Sequence, residues 1–318
     1  MKDVLFIKTS SLGDVIHHMP ALTEARAHLP EVRFSWVVEE AFAPLVALHP
    51  AVDEVIPVAA RRWRRSLFRP STWRQMAAFR RSLKERTFDE IVDAQGLLKS
   101  ALIARYAQGR RRGYDRKSIK EPAASWLYDI KHPIEWKQHA IARNRTLTAD
   151  ALGYASKGAP DFGLDRASLA ASAAKPYGVL LHATAQAGKE WPEENWRMLA
   201  AVLGNGDVDL VVPHGSEIER ERALRIAQAS PHARVPVRQP LDQVARLIAG
   251  ASFVVGVDTG LLHLAAALGV PLVAIFLGSE PGLTGPMGPG AIEVLGAKGA
   301  PPSVVEVRDT VKRLMQIG

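Results

Sequence analysis

Cysteine is absent from this 318-residue chain, which excludes disulfides, thiolate zinc sites and cysteine nucleophiles together. No His-Glu-x-x-His occurs, and Asp207-Val208-Asp209 precedes a strand instead of following it, so it reads as a turn and no catalytic metal is expected. Neither a Gly-x-Gly-x-x-Gly after a strand nor a P-loop is present, which sets aside nicotinamide dehydrogenases and P-loop kinases. Residues 261–277 are almost wholly apolar, yet His263 and the Gly269-Val270-Pro271 break interrupt them. A membrane span needs about 20 uninterrupted apolar residues, so none is expected. The opening Met1-Lys2-Asp3, followed only by Val4 to Ile7, is too short in apolar residues for a signal peptide, and a cytoplasmic location is expected.

Apolar residues make up 47% of the chain and charged residues 23%, ordinary values for a protein with a sizeable core. At about 100–200 residues per domain, this length suggests two. The net charge of +8 is unevenly spread. Up to Lys157 there are 27 Lys and Arg against 17 Asp and Glu, and beyond it 14 against 16. An anionic partner is therefore expected for the first half alone.

The chain is organised around residues 252–277. Phe253 to Val257 is a short apolar run of the kind buried on both faces of a sheet, Asp258-Thr259-Gly260 breaks it, and Leu261 to Leu268 reads as a helix. Gly269 and Pro271 end that helix before a second buried strand, Leu272 to Leu277. Strand, turn, helix and strand in this order are the signature of a parallel α/β sheet. Ligands in such sheets bind where strands end and helix N-termini point N–H groups outward, which is where Asp258, Thr259 and Gly260 fall. The competing reading is that Asp258 or Thr259 merely caps the helix.

The same pattern runs through the first half. Strands are expected at Val4 to Ile7, Phe34 to Val38, Glu54 to Val58 and Phe88 to Asp93, with a helix running from about Asp14 to His28. Asp14 falls in the first helical turn, where a carboxylate is also stabilised simply by the helix dipole. Residues 136–152 read as helical, and weak periodicity over 155–176 marks a boundary, giving domains 1–165 and 166–318. The second half restarts with strands at Tyr177 to Leu181 and Val208 to Val212, and Gly204-Asn205-Gly206 reads as a turn. Helices are expected after Pro192, around Glu217, Glu219 and Glu221, and over 241–249. The Gly/Pro-rich 278–290 reads as a mobile loop, and 304–317 as a terminal helix free to pack back on the first domain.

Two basic stretches, Arg61-Arg62-Trp63-Arg64-Arg65 and Arg110-Arg111-Arg112, are interleaved with aromatics including Phe68, Trp73, Trp126 and Trp136. A solvated face, a nucleic-acid surface and a site for a phosphorylated, lipid-borne acceptor all fit this composition. Arginine suits bidentate phosphate contacts and tryptophan suits a membrane interface, whereas no nucleic-acid-binding motif accompanies the charge.

Lys8-Thr9-Ser10-Ser11-Leu12-Gly13-Asp14, Asp93 to Lys99, Lys189-Glu190-Trp191-Pro192 and Val257 to His263 together resemble the lipopolysaccharide heptosyltransferases of glycosyltransferase family 9, type I more than type II. Trp36 to Glu40 and Arg61 to Arg64 extend the likeness, which covers nearly the whole chain in order. The resemblance implies an α/β protein of the GT-B class, two Rossmann-like doubly wound parallel-sheet domains facing a central cleft. The first would bind the acceptor and the second the nucleotide sugar. It implies an inverting transfer from ADP-L-glycero-D-manno-heptose to Kdo of Kdo-lipid A, at the anionic cytoplasmic face of the inner membrane, with no cofactor and no nucleic acid. Asp14 matches the family's catalytic base. Thr184, Ala185, Lys189, Glu219, Asp258, Thr259, Gly260, Leu261 and His263 fall at the donor positions, with Glu217 and Glu221 leaving the register of the ribose contact open. Ala185 stands where relatives carry a second threonine. Ser10, Arg61, Arg62, Arg64, Lys99 and Lys120 fall at the acceptor positions, Lys120 in place of an expected arginine. Addition of the second heptose and a non-catalytic basic module for anionic lipid or nucleic acid are the alternatives.

Overall fold

Short runs of β-branched and apolar residues, each closed by a polar or glycine-containing turn, alternate with helices throughout the chain. In the computed structural model they assemble into two six-stranded parallel sheets. The structure describes all residues except 171–173, 185–186, 205–206, 279–280 and 318. Residue contacts divide the chain into Met1–Gly163 and Leu164–Gly318, two residues before the boundary expected from sequence.

The first unit holds β1 (Asp3–Ile7), β2 (Arg33–Glu39), β3 (Glu54–Val58), β4 (Thr87–Asp93), β5 (Gln108–Tyr114) and β6 (Ile130–His132), in the order β3-β2-β1-β4-β5-β6. The chain begins in the middle of the sheet, winds outward on one side, then crosses to β4 and winds outward on the other. Ligands of open α/β sheets bind at such a reversal, beyond the carboxyl ends of the two central strands. Here those strands are β1 and β4, paired from Val4 with Glu90 to Ile7 with Asp93. Leu5, Ile7, Val37 and Ile91 bury their side chains in one core cluster.

The second unit repeats the plan with β7 (Tyr177–Leu181), β8 (Asp209–Val211), β9 (Ala233–Arg234), β10 (Phe253–Val257), β11 (Leu272–Ile275) and β12 (Ile292–Leu295). Its order, β12-β11-β10-β7-β8-β9, places β7 beside β10 at the equivalent reversal. Trp191, Trp196 and Phe253 are among the largest side chains of its core. The terminal helix Val304–Ile317 sets Val307, Val311 and Leu314 into that same core. The α/β class with doubly wound parallel sheets is as expected.

Several local expectations change. The single helix expected from Asp14 to His28 is two, Leu12–Ile16 and Met19–His28, with His17 and His18 between them. The helix expected over 136–152 runs Ala140–Leu152, and the His139 side chain caps its start by accepting the Ile141 N–H at 3.2 Å. Gly204-Asn205-Gly206 lies partly outside the described residues. The loop 278–290 contains a helical turn, Pro281–Thr284, and Gly288 sits so close to the Ala266 carbonyl that no Cβ would fit, so that part is packed. Arg110-Arg111-Arg112 is not a free basic surface but part of β5. Arg110 and Arg112 both bind the buried Glu90 of β4, and Arg111 grips Asp129 through Nε and Nη2, each at 2.8 Å.

Candidate active-site residues at the two strand reversals

In the first unit, the turn after β1 carries Lys8 to Asp14 and the turn after β4 carries Asp93 to Lys99. Their backbones are tied together by Gln95, whose Oε1 accepts the N–H groups of Thr9 and Ser10, both at 2.9 Å. Asp93 is fully buried; its Oδ1 accepts from the Gln95 and Gly96 N–H groups, and its Oδ2 from the Tyr128 hydroxyl at 2.6 Å. Burial raises the Asp93 carboxyl above its ordinary value, against the pull of these donors. The carboxylate thus holds the turn that presents Gln95 and Gly96.

Above this floor lies a cavity of about 130 Å³, lined by Lys8, Asp14, Gln95, Lys120, Arg143 and Asn144 among others. Lys8 is buried, and its ammonium donates to the Ala94 carbonyl at 2.7 Å and to Asn144 Oδ1 at 3.3 Å. Desolvation pulls its pKa below the ordinary lysine value, while Asp14 and Asp93 pull it back up. Asp14 Oδ2 accepts from the Ser11 N–H at 2.7 Å and the Ser11 hydroxyl at 2.8 Å. The helix-start role open from sequence is therefore real, and the same carboxylate also lines the cavity. Both are met by one short helix, Leu12–Ile16, whose N-terminus favours negative charge.

The expected acceptor residues divide. Lys120 lines the cavity beside Asp14, and Lys99 donates to the Ser10 hydroxyl at 3.2 Å on its rim turn. Arg61 hangs its N–H on Glu39 at 3.0 Å and lays its guanidinium over the Phe42 ring, 4.8 Å from its centre. Arg62 is already engaged: Glu40 accepts from its Nε and Nη2, each at 2.9 Å. Arg64 is exposed on the helix Ala60–Arg65. The structure also brings in residues that sequence left unassigned, chiefly Lys8, Gln95, Arg143 and Asn144. Arg143 packs its guanidinium over Trp136 and Tyr114, at 4.2 and 4.9 Å from their ring centres. A lysine ending an apolar strand was the available signal for Lys8; nothing in the spacing joins it to Asn144, 136 positions away.

In the second unit, the turns after β7 and β10 meet. Thr184 Oγ1 donates to the Asp258 carbonyl at 2.9 Å, and Lys189 Nζ donates to Asp258 Oδ2 at 2.6 Å. His263 Nε2 lies 3.9 Å from Asp258 Oδ1. Lys189 and Asp258 are both largely shielded, with side chains 19% and 12% exposed, so their attraction is stronger than that of a surface pair. Thr259 occupies the N-cap of the helix Gly260–Ala267 but its side chain makes no capping bond, and Asp258 Oδ2 accepts from Lys189. The capping alternative is not realised by Thr259. The Gly260 and Leu261 N–H groups stand in the first turn of that helix, beside a lysine, which is a setting for an anion. Ala185 lies outside the described residues.

Of the three glutamates beyond β8, Glu219 turns back to the strand-end loop, where its Oε2 accepts the Gly215 N–H at 2.7 Å. Glu217 instead pairs with Arg220 on the surface at 2.7 Å, and Glu221 is exposed. Among the described residues, no group of three or more His, Cys, Asp or Glu side chains is arranged to hold a metal ion.

The comparisons accord with this layout. Residues 76–312 match the family Glycosyltransferase family 9 (heptosyltransferase). The chain is 49% identical to lipopolysaccharide heptosyltransferase 1 of Pseudomonas aeruginosa, over 90% of this chain and 81% of that protein. It is 45% identical to the Salmonella typhimurium protein of the same name, over 90% and 91%. Among solved structures, E. coli heptosyltransferase WaaC with ADP superposes with a TM-score of 0.89 at 40% identity, covering 99% of both chains. The same enzyme with ADP-2-deoxy-2-fluoro heptose gives 0.87 at 39%, again over 99% of both. With a family match over most of the chain and identity of this order over 90% of it, the chain belongs to glycosyltransferase family 9, the heptosyltransferases.

Proposed function

We propose that this protein transfers L-glycero-D-manno-heptose from ADP-heptose to Kdo of Kdo-lipid A, with inversion at the anomeric carbon, adding the first heptose of the lipopolysaccharide inner core. The observation that carries the reading is the likeness over 99% of both chains to an enzyme solved with an ADP-heptose analogue. Identity of 44–49% to four type 1 enzymes favours the first heptose over the second, two type 2 enzymes standing at 24–25% and a more distant fifth type 1 enzyme at 23%.

An acceptor hydroxyl is a poor nucleophile, so a base must take its proton as the new bond forms, a contribution of about 10²–10⁴ in rate. Asp14 takes that role, its carboxylate held in place by Ser11. Departure of ADP builds charge on the diphosphate. Lys189 and the N–H groups of Gly260 and Leu261 stabilise that charge, while Asp258 and His263 orient lysine and sugar. Thr184 keeps the two turns in register. Glu219, which of the three glutamates is the one seen to accept from the strand-end loop, accepts from the ribose diol. Lys99, Lys120, Ser10, Arg61 and Arg64 meet the carboxylates and phosphates of the acceptor, with Arg62 following once Glu40 releases it. No described helix is long and apolar enough to cross a membrane. Access to the lipid-borne acceptor would then come from peripheral contact of the basic first unit with the anionic inner-membrane surface.

The test is ADP release from ADP-heptose with purified acceptors. Release should require Kdo-lipid A and cease when the Kdo already carries its heptose. Release driven only by the heptosylated acceptor would replace this reading with addition of the second sugar.

A further inference from the structure

Beyond the carboxyl end of β3 the chain forms two helices, Ala60–Arg65 and Pro70–Lys84, joined through Ser66, Leu67, Phe68 and Arg69. At the tip, Phe68 is 102% exposed, Trp73 58% and Leu67 43%. Removing such side chains from water is favourable, so leaving three of them exposed on one hairpin calls for a partner. The tip is held by its own polar groups. Thr72 is buried and its hydroxyl donates to the Ser66 carbonyl at 2.8 Å; the Ser66 hydroxyl donates to the Arg62 carbonyl at 3.0 Å; and Trp73 Nε1 donates to the Leu67 carbonyl at 2.8 Å. The chain has thus satisfied its polar atoms inside the hairpin and left its apolar ones outside.

Charge identifies the partner. Residues 60–75 carry Arg61, Arg62, Arg64, Arg65, Arg69 and Arg74 and no acid. Glu40 neutralises Arg62, and no described carboxylate pairs with the other five. Five uncompensated like charges oppose docking against a second copy of the same hairpin, whereas an anionic bilayer offers both phosphates for the arginines and an apolar layer for the tip. We propose that this hairpin is a membrane wedge. Phe68 and Leu67 enter the boundary between headgroups and acyl chains, Trp73 rests at headgroup level, and the arginines around them contact lipid phosphates. Each basic side chain near such a surface adds its own attraction, and the combination of charge with inserted apolar groups supplies the two signals that stable attachment needs. Because the strands are parallel, the hairpin leaves the sheet at the same edge as Asp14 and its cavity, so seating it brings that edge to the lipid. The inference rests on the lipid-borne acceptor proposed above, and names the segment that reaches it.

The test is sedimentation of the full chain with vesicles of phosphatidylglycerol mixed into phosphatidylcholine, and with phosphatidylcholine alone. The protein should sediment with the mixed vesicles only, and release as salt rises. Phe68→Asp and Arg69→Glu, which alter no contact described in the cavity, should each weaken this at least about tenfold. Both should transfer heptose to a deacylated, water-soluble acceptor at the unaltered rate. Sedimentation of Phe68→Asp equal to that of the unaltered chain overturns the wedge, as does equal binding to uncharged vesicles. Loss of a concentration-dependent dimer in Phe68→Asp, with vesicle binding intact, overturns it in favour of self-association. Turnover on the soluble acceptor reports on heptose transfer by itself, so failure there strikes the proposed reaction and leaves the vesicle result to be read independently.

Discussion

The two units share one strand order and differ in what they place at its reversal. In the first, β1, β2 and β4 end in buried polar groups: Lys8, Glu39 and Asp93 are nearly or fully shielded from solvent and are held by neighbouring side chains and backbone. In the second, the strands end in an apolar floor carrying one compact cluster, Lys189 with Asp258 and His263, beside a helix N-terminus. A leaving diphosphate needs fixed positive charge and N–H donors, and little else. A reaction partner that must be both gripped and deprotonated needs bases and cations kept close together without collapsing onto each other. Burial provides that separation here by binding each charge to its own partner. On the proposed reaction, the fold sets where chemistry happens, and the turn residues set which half of the reaction it is.

The comparison breaks most sharply at Asp14. Asp14→Asn should lower turnover at least about a hundredfold while leaving ADP-heptose affinity unchanged, because proton removal is lost and donor binding is not. Titration calorimetry with donor alone, alongside the transfer rate, separates the two. Near-normal turnover would move the base elsewhere. Lys189→Ala should do the reverse. Removing a charge-assisted contact of about 1.5–3 kcal/mol should weaken ADP binding roughly ten- to a hundredfold, with no effect on acceptor binding. An unchanged ADP affinity would take the diphosphate away from this cluster.

Acid should test both units at once. His49 of the first and His182 of the second are each buried and pulled from 6.5 to about 4, desolvation being the main cause. The unfolded chain takes up these protons first, so the stability they contribute is complete above pH 6.5 and is lost as pH falls toward 4. Each site adds at most about 1.4 kcal/mol per pH unit to that slope. The first unit has a further liability in His18, buried between Phe6 and Trp36 and also lowered well below the ordinary histidine value by desolvation. Thermal melts across this window should fall steadily, and His49→Gln should flatten the curve; a flat curve in the unaltered chain would mean these imidazoles are hydrated.

Much of this was legible in sequence because parallel strands buried on both faces are written as plain apolar runs. Val4 to Ile7 and Phe253 to Val257 need no partner to be recognised. β5 escaped because it reads Gln-Gly-Arg-Arg-Arg-Gly-Tyr, and only Glu90 and Asp129, brought alongside by folding, make that run acceptable in a sheet. β6 and β9, at three and two residues, are too short to carry a period. At the candidate sites, turn residues close in sequence were readable as motifs. Contacts such as Lys8 with Asn144 were not, since they depend on a helix arriving from far along the chain.

The smallest expected effect is also the one that sharpens the donor side. Three glutamates follow β8 at alternate positions, and sequence alone cannot say which faces the strand ends. The helix Glu217–Ala227 settles their directions by its period, since positions two apart point to different faces. Glu219 folds back onto the Gly215 N–H, and Glu217 turns away to Arg220, in a pair whose side chains are 69% and 47% exposed. An exposed pair of this kind contributes between nothing and about 1 kcal/mol. Glu217→Gln should therefore barely move the melting temperature and leave ADP affinity untouched, while Glu219→Gln should weaken binding of ADP more than that of inorganic pyrophosphate. If Glu217→Gln instead produced the ADP-selective loss, the helix would have to be rotated by more than half a turn from where Ser216 caps it, and the donor face of the second unit would need redrawing.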